Sequence, residues 1–201
     1  MKLLYFAWVR TNIGKAEEEV AVPGHVQTVE DLLDWLATLG PHYAAALDRR
    51  NVIKVQREDF DIGAELAQLT NGNTKVGGLA SFVGLVRDLA GQDTVSAMTL
   101  EHYPGMTEKR LAEIEAEARS RWPLEGVLII HRYGKLEPGD RIVLVATTSP
   151  HRQAALESCA FLIDWLKTKA PFWKLEQTPG GEKWVEAHEG DDAAAARWAK
   201  K

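Results

Sequence analysis

Four consecutive residues, Ser149-Pro150-His151-Arg152, combine the features of a helix start with two side chains that can bind an anion. Serine is a favoured N-cap residue and proline a favoured first helical residue, so the pattern predicts a helix that begins here. A helix start offers unpaired backbone N–H groups and the positive end of the helix dipole, which together bind phosphate. Arg152 can form paired hydrogen bonds to phosphate oxygens, and His151 adds a second donor. The alternative is a surface helix start with two solvated side chains.

Two lysines flank the end of the same predicted helix. Pro171 ends that helix, so Lys167 is expected in its last turn and Lys174 just beyond it. A lysine changes its pKa readily when it is desolvated or lies near other cations, and it can then act as a general acid or base or capture a substrate covalently. Phe172 and Trp173 could exclude water from such a site. The alternative is that both lysines complement the helix dipole and that the aromatic side chains belong to the core.

A third candidate cation, Arg87, follows a glycine-containing strand that includes Gly84. It could join the anion site, or it could be a surface side chain paired with Asp88, an interaction worth about 0–1 kcal/mol. The single cysteine, Cys159, is surrounded by apolar residues of a predicted helix, so an inert buried thiol is favoured over a sulfur relay. The turn 100–106 is interpreted as a structural loop with a packed tyrosine.

Residues 51–201 are predicted to form one compact α+β domain that positions these side chains. Apolar segments bounded by turn residues predict strands, and apolar side chains at helical spacing predict helices. One of the helices is expected to be capped by Thr107, with Leu111, Ile114, Ala118 and Trp122 on its apolar face. The strands are expected at 52–55, 76–86, 95–100, 127–130 and 142–147, and the helices at 62–69, 107–122 and 150–169.

Residues 1–50 have the order of strand, turn, strand and helix. Segments 2–10 and 17–22 are predicted to pair as a hairpin. Thr28 and Asp31 have the spacing of a capping box and predict a helix after the hairpin, which Gly40-Pro41 stops. A second short helix is expected at 43–47, and 51–55 could add a third strand. This order is the opening half of a β-grasp, or ubiquitin-like, fold, and a segment of about 50 residues is marginal as an independent fold.

The composition excludes several classes of protein. The 201 residues carry a net charge of −5 and therefore no overall positive field that would recruit nucleic acid. One cysteine excludes an intrachain disulfide, no metal-ligand spacing is present, and no cofactor is expected. No apolar run approaches the roughly 20 residues that cross a bilayer, and the first residues lack the cleavage site of a signal peptide. We therefore expect a cytoplasmic protein without membrane contact.

Five segments carry a family resemblance: GLVRD, LEHYPGMTEK, IIHRYG, TTSPHR and LKTKAPFWK. In order and spacing they resemble the large, catalytic subunit of molybdopterin synthase, from about Val52 to Trp198. MKLLYFAWVR followed by TVEDLLDWLATLG resembles the small, ubiquitin-like sulfur-carrier subunit of the same enzyme. The chain is thus interpreted as a fusion protein. Residues 1–50 would be a partial β-grasp carrier-like segment, and residues 51–201 would be the catalytic domain.

The resemblance implies a sulfurtransferase of molybdenum cofactor biosynthesis. The family converts cyclic pyranopterin monophosphate (precursor Z) into molybdopterin by installing a dithiolene, whose two sulfurs arrive from thiocarboxylated tails of the carrier protein. By motif, Lys167 and Lys174 match the catalytic lysines. Arg87, His151 and Arg152 match the pocket that binds the phosphate of the substrate. The family works as a homodimer of large subunits, which implies that some of these residues act across the dimer.

The carrier-like segment departs from the family pattern because it lacks a terminal Gly-Gly. Gly77-Gly78 and Gly180-Gly181 lie inside the catalytic match and cannot carry a thiocarboxylate. We therefore expect residues 1–50 to be a remnant that packs on the catalytic domain, while a separate carrier supplies sulfur. Two other functions stay open. One is a non-catalytic protein that binds the carrier or the pterin and regulates or scaffolds the pathway, and the other is a phosphate-binding α+β enzyme of another pathway.

The catalytic interpretation depends on one spatial arrangement. The side chains of the five candidate cations must converge on a single cationic hollow, because the phosphate and the reacting atoms belong to one small substrate. This hollow could form within one protomer or across two. The five residues are Arg87, His151, Arg152, Lys167 and Lys174.

Overall fold

The computed structural model describes residues 1–5, 9–10, 13–47, 51–90, 93–94, 96–185 and 189–199. The chain contains two compact units, Met1–Arg49 and Arg50–Lys201. Among the described residues, no helix has both the length and the apolarity that crossing a membrane requires.

The first unit begins with a short hairpin. β1 (Lys2–Leu4) pairs antiparallel with β2 (Glu17–Glu19), which confirms the predicted pairing. The predicted strand 2–10 is too long, because β1 ends at Leu4 and residues 9–10 are helical. Residues 6–8 of that predicted strand lie outside the described part of the chain.

Two helices follow the hairpin. α1 (Val29–Thr38) begins with the predicted capping box. The Asp31 N–H donates to Thr28 Oγ1 at 3.0 Å, and the Thr28 N–H donates to the Asp31 carboxylate at 2.9 Å. This exchange satisfies backbone donors that a helix start otherwise leaves unpaired. α2 (Pro41–Ala46) confirms the second short helix.

The small core of the first unit surrounds one carboxylate. Tyr5 and Tyr43 are buried, and each donates its hydroxyl hydrogen bond to Glu18 Oε1 at 2.6 Å. Lys15 Nζ donates to the other oxygen of Glu18 at 2.8 Å. Burial alone would raise the pKa of Glu18, but the hydrogen bonds from Lys15 and the two tyrosines outweigh it and hold the pKa at about 2.

The second unit contains ten strands and four helices among the described residues. In chain order they are β3 (Asn51–Gln56), α3 (Ile62–Thr70), β4 (Gly78–Leu85), β5 (Leu89–Ala90), β6 (Asp93–Thr94), β7 (Ala97–His102), α4 (Met106–Arg121), β8 (Gly126–Arg132), β9 (Gly134–Leu136), β10 (Arg141–Ser149), α5 (Arg152–Lys169), β11 (Phe172–Thr178), β12 (Gly181–Val185) and α6 (Glu189–Ala196). These elements confirm the predicted α+β class.

A four-stranded sheet in the order β3-β8-β10-β4 forms the centre of this unit. β3 runs parallel to β8, so the interpretation of segment 51–55 as a third strand of the N-terminal segment is wrong. Side chains of β8 alternate between the two faces of the sheet, as the strand geometry requires. Val127 and Ile129 pack with residues of α4 and α5, whereas Leu128 and Ile130 pack with Leu69 of α3. Helices therefore cover both faces.

A second sheet in the order β12-β11-β7-β9 adjoins the first through the chain that continues from β8 into β9. Met98, Leu100 and Leu136 of this sheet form a buried cluster with Val86, which follows β4. The sequence predicted β7 but not β9, β11, β12 or α6.

The start of α4 differs from the prediction. The helix begins at Met106 with Gly105 as its N-cap, and the Gly105 N–H donates to the Glu108 carboxylate at 2.6 Å. Thr107 is buried in the first turn, and its hydroxyl donates to the Tyr103 carbonyl at 3.1 Å instead of capping the helix. The expectation of a packed tyrosine is also wrong, because Tyr103 is 61% exposed.

Candidate active site

The predicted anion site lies where β10 passes into α5. Ser149 is the last residue of β10, and α5 begins at Arg152 with His151 as its N-cap. The prediction that Ser149 caps the helix and Pro150 opens it is therefore wrong. Ser149 is buried, and its hydroxyl donates to the Pro123 carbonyl at 2.8 Å. The same oxygen accepts a hydrogen bond from the His151 N–H at 3.3 Å, at the turn from strand to helix.

The side chains of His151 and Arg152 are exposed at this helix start. Within the described ranges, no side chain caps α5 and no carboxylate forms an ion pair with either residue. A guanidinium such as that of Arg152 at the positive end of a helix opposes its dipole. An anion bound here would contact Arg152, His151 and the unpaired N–H groups of the first turn, so this corner is suited to a phosphate group.

Arg87 lies on a turn that two backbone hydrogen bonds fix. The Val86 N–H donates to the Asp140 carbonyl, and the Gly139 N–H donates to the Val86 carbonyl, both at 2.9 Å. Val86 is buried, whereas Arg87 is exposed. An open cavity of about 480 Å³ at this turn is lined by Val86, Arg87, Asp88, Pro138 and Gly139. The turn thus presents the Arg87 guanidinium beside a cavity.

Lys167 lies in the last turn of α5, as predicted. Its ammonium group forms an ion pair with Asp191 of α6 at 3.2 Å. The chain after α6 is attached to the same helix, because the indole N–H of Trp198 donates to Asp164 at 2.6 Å. The C-terminal segment therefore packs along α5 and places a carboxylate beside Lys167. The Lys167 side chain is still 56% exposed, so a substrate can reach it.

Lys174 lies in β11, and its ammonium group forms an ion pair with Glu176 on the same face of that strand. Glu176 is buried, so its carboxylate is a fixed partner for the lysine. Leu100 lies directly opposite Lys174 on β7 and shares the buried cluster with Val86. Because directly opposed residues share a face of the sheet, Lys174 lies on the face that packs against the chain next to Arg87.

The five candidate cations do not converge within one chain. Arg152 and Lys167 lie at opposite ends of α5, about 22 Å apart along its axis at about 1.5 Å per residue. Arg87 lies beyond the end of β4, whose first residue, Gly78, pairs with Ser149, so a strand of about 25 Å separates Arg87 from the helix start. His151 and Arg152 form one group at the helix start, and Arg87, Lys167 and Lys174 all lie away from it. A single hollow within one protomer is therefore excluded, and only the arrangement across two protomers stays open.

Burial changes the acid–base properties of two other residues of α5. Cys159 is buried, as predicted, and burial raises the pKa of its thiol to about 11. Burial, followed by the charges of Arg110 and Arg121, lowers the pKa of Lys169. Its ammonium group lies 3.1 Å from the centre of the Trp165 ring. Sequence reasoning did not single out this third lysine of the segment.

The carboxylate partners of the two candidate lysines were missed as well. Glu176 could have been found from its spacing of two from Lys174 if β11 had been predicted, because alternate residues of a strand share a face. Asp191 could not be identified from the sequence around Lys167, since it lies far along the chain in a helix that was not predicted. In the part of the chain that the structure describes, no group of His, Cys, Asp and Glu side chains is arranged to bind a metal ion.

One protein-family model, described as MoaE protein, matches residues 55–169. A molybdopterin synthase catalytic subunit from Mesorhizobium japonicum is 53% identical over 148 residues, which cover 73% of this chain and 92% of that protein. The molybdopterin synthase catalytic subunit from Escherichia coli K12 is 53% identical over 146 residues, which cover 73% of this chain and 97% of that protein. The solved structure of a molybdopterin biosynthesis MoaE protein from Burkholderia ambifaria is 56% identical, with a TM-score of 0.65, and the match covers 75% of this chain and 99% of that one.

Proposed function

The chain belongs to the MoaE protein family, and we propose that it is the catalytic subunit of a molybdopterin synthase. It acts in molybdopterin synthesis, within molybdenum cofactor biosynthesis, as a sulfurtransferase. One observation carries this proposal. In a sequence that is 53% identical to catalytic subunits over nearly their whole length, a single helix has the exposed side chains of His151 and Arg152 at its start and an accessible lysine, Lys167, at its other end.

The proposed substrate is cyclic pyranopterin monophosphate. Its phosphate binds at the start of α5, where His151, Arg152 and the unpaired N–H groups neutralise it. A fixed phosphate orients the pterin for attack by sulfur. Opening the cyclic phosphate and adding sulfur to a carbonyl-like carbon both require proton transfers, which Lys167 and Lys174 perform as general acid and base. Their carboxylate partners hold the two ammonium groups in place.

A homodimer completes the proposed site. A two-fold interface presents the same surface of each copy to the other, so it creates two equivalent composite sites. In each site, His151 and Arg152 come from one protomer, and Arg87, Lys167 and Lys174 come from its partner. The length of α5 supports this arrangement, because the two groups are too far apart within one chain to act on one small molecule.

A separate thiocarboxylated ubiquitin-like carrier is the proposed source of sulfur. The first unit, with β1, β2 and α1, is proposed to be an incomplete β-grasp segment, and the sequence offers it no terminal Gly-Gly. Because the segment is joined to the second unit by a peptide bond, it has no C-terminal carboxylate that could be converted into a thiocarboxylate. We assign the first unit no direct part in the transfer of sulfur.

Reconstitution from purified components tests this function. The chain, mixed with cyclic pyranopterin monophosphate and a thiocarboxylated carrier, should form molybdopterin, which the fluorescence of its pterin ring detects. The matched control contains the same carrier with an ordinary terminal carboxylate and should yield no product. A chain that binds the carrier or the pterin but forms no product would contradict the proposal and favour a regulatory or scaffolding role.

A further inference from the structure

Two adjacent glycines lie against the helix start that we assign to the phosphate. The Gly77 N–H donates to the Ser149 carbonyl at 3.0 Å, and Gly78, the first residue of β4, pairs with Ser149 across the sheet. These contacts place Gly77-Gly78 directly beside the segment that turns from β10 into α5. The pair cannot carry a thiocarboxylate at this internal position, so its presence needs another explanation.

A side chain on Gly77 would collide with the backbone of the helix start, and one on Gly78 would be tightly packed against it. A Cβ atom on Gly77 would lie 2.1 Å from the carbonyl oxygen of Pro150 and 3.0 Å from its carbonyl carbon. A Cβ atom on Gly78 would lie 3.2 Å from Cα and 3.4 Å from N of Arg152. All four of these atoms belong to the backbone, so no rotation of a side chain can relieve the contacts. The contact at Gly77 is far below the van der Waals limit, whereas the contact at Gly78 requires only a small shift.

The requirement at both positions is for space and not for an unusual backbone conformation. Neither Gly77 nor Gly78 has a positive φ, unlike Gly105 or Gly181 in the same unit. An alanine at either position could therefore adopt the native backbone angles. The effect of such a substitution would come from the contact with the helix start alone.

The backbone atoms of Pro150 and Arg152 that these contacts would displace determine the position and direction of the first turn of α5. The Pro150 carbonyl and the His151 N–H belong to one rigid peptide group, so displacing the carbonyl also displaces the N–H that donates to Ser149 Oγ. His151 is the N-cap of α5, and Arg152 is its first residue. A shift of this peptide group would therefore move both side chains and the unpaired N–H groups of the first turn together.

We propose that Gly77 and Gly78 are positioning residues for substrate binding, because their lack of side chains lets β4 approach closely enough to fix the helix start that binds the phosphate. This inference rests on the proposed function. Neither glycine contacts the substrate, and both act through His151 and Arg152. The lysines lie at the opposite end of α5 and are not displaced.

Steady-state kinetics of Gly77→Ala and Gly78→Ala, with the thiocarboxylated carrier in excess, test the proposal. A displaced helix start weakens the charge-assisted hydrogen bonds to the phosphate, so we expect Gly77→Ala to raise the KM for cyclic pyranopterin monophosphate by about tenfold or more. Gly78→Ala should raise it less, and for both variants kcat should fall by a smaller factor than KM rises. Gly180→Ala is the matched control, since its Cβ would meet nothing closer than Thr178 Oγ1 at 3.7 Å.

A second measurement separates positioning from a general loss of structure. Gly77→Ala in an Arg152→Ala background should raise KM much less than it does in wild type, because the side chain whose position it disturbs is gone. If Gly77→Ala does not fold, Gly78→Ala in the same two backgrounds replaces it. The inference would be overturned by an unchanged KM or by a fall in kcat alone. It would also be overturned if the effects of the glycine and Arg152 substitutions on KM multiplied independently. A wild-type chain that forms no molybdopterin would instead overturn the proposed function.

Discussion

Arg152 and Lys167 lie at the two ends of α5, about 22 Å apart along the helix axis at about 1.5 Å per residue. The helix is continuous and packed against the central sheet, so it cannot bend to bring the two side chains together. One small substrate molecule cannot contact both of them within a single protomer. If both act in the same reaction, they must come from different copies of the chain.

Lys167→Ala should abolish product formation and leave the fold intact. The side chain is more than half exposed and its ion pair with Asp191 is a surface interaction, so its removal should change the stability by about 1 kcal/mol or less. Product fluorescence measures the activity, and thermal unfolding measures the stability. Lys109→Ala, which removes an exposed lysine of α4, is the control and should behave as wild type. Turnover by Lys167→Ala at the wild-type rate would exclude Lys167 from the mechanism.

Arg152→Ala should weaken the binding of the substrate more than it slows the reaction of bound substrate. A hydrogen bond to a charged group contributes about 1.5–3 kcal/mol, so we expect the dissociation constant of cyclic pyranopterin monophosphate to rise by about 10- to 100-fold. Titration calorimetry of the chain with this substrate measures the change. Arg152→Lys keeps the charge but loses the paired hydrogen bonds to the phosphate. Its dissociation constant should therefore lie between those of wild type and Arg152→Ala. An unchanged dissociation constant for Arg152→Ala would contradict the assignment of the phosphate to this helix start.

The stability of the hairpin in the first unit should depend on pH, because Glu18 is protonated at acidic pH. The pKa of this carboxyl falls from its ordinary value of 4.5 to about 2 in the folded chain. The folded state therefore binds the proton less tightly, so the stabilisation is present above about pH 4.5 and is lost as the pH falls toward 2. It amounts to about 3 kcal/mol at most. The protection factors of the amides in β1 and β2, which correct for the intrinsic pH dependence of hydrogen exchange, should fall as the pH decreases across this range.

Glu18→Gln is the control for this pH dependence. It keeps the shape of the side chain but removes the charge that Lys15 and the two tyrosines contact. The variant should exchange faster than wild type near neutral pH and lose most of the acid dependence between pH 4.5 and 2. An identical acid dependence in both proteins would assign the effect to other groups.

Deletion of residues 1–49 should leave the transfer of sulfur intact when a thiocarboxylated carrier is supplied. The family match begins at residue 55, and none of the five candidate cations lies in the deleted unit. The full chain and the shortened chain are compared in the same reconstitution assay. Molybdopterin formed by the full chain without any carrier, from an inorganic sulfur source and an activating enzyme, would show that the first unit carries sulfur itself.

Local apolar patterns predicted much of the catalytic unit. The segments expected as strands at 127–130 and 142–147 lie inside β8 and β10, because central strands covered on both faces are apolar throughout. The start of α5 was misplaced because Ser149 bonds to Pro123, a partner far along the chain that its own sequence context does not reveal. β11 was missed because its first residues, Phe172 and Trp173, were interpreted as side chains that exclude water from the site or belong to the core, and not as the start of a strand.

The sequence supplied a set of candidate site residues but not their arrangement. Motifs supplied the identity of all five cations, and the position of Lys167 in the last turn of α5 followed from Pro171. The separation of Arg152 from Lys167 was already implicit in a predicted helix at 150–169, because helix length scales with residue number. The role of Gly77-Gly78 required the structure, since only the close approach of Pro150 shows why side chains are excluded there.

Activity of a mixed dimer tests the composite site most directly. Arg152→Ala and Lys167→Ala chains with different tags are co-expressed, and the dimer that contains one of each is purified. If each site combines the two groups across the interface, one site of this dimer carries both substitutions and the other carries neither. The mixed dimer should then have about half of the wild-type activity below the wild-type KM, whereas both parent dimers have little. A mixed dimer no more active than its parents, or a chain that remains monomeric, would contradict the account.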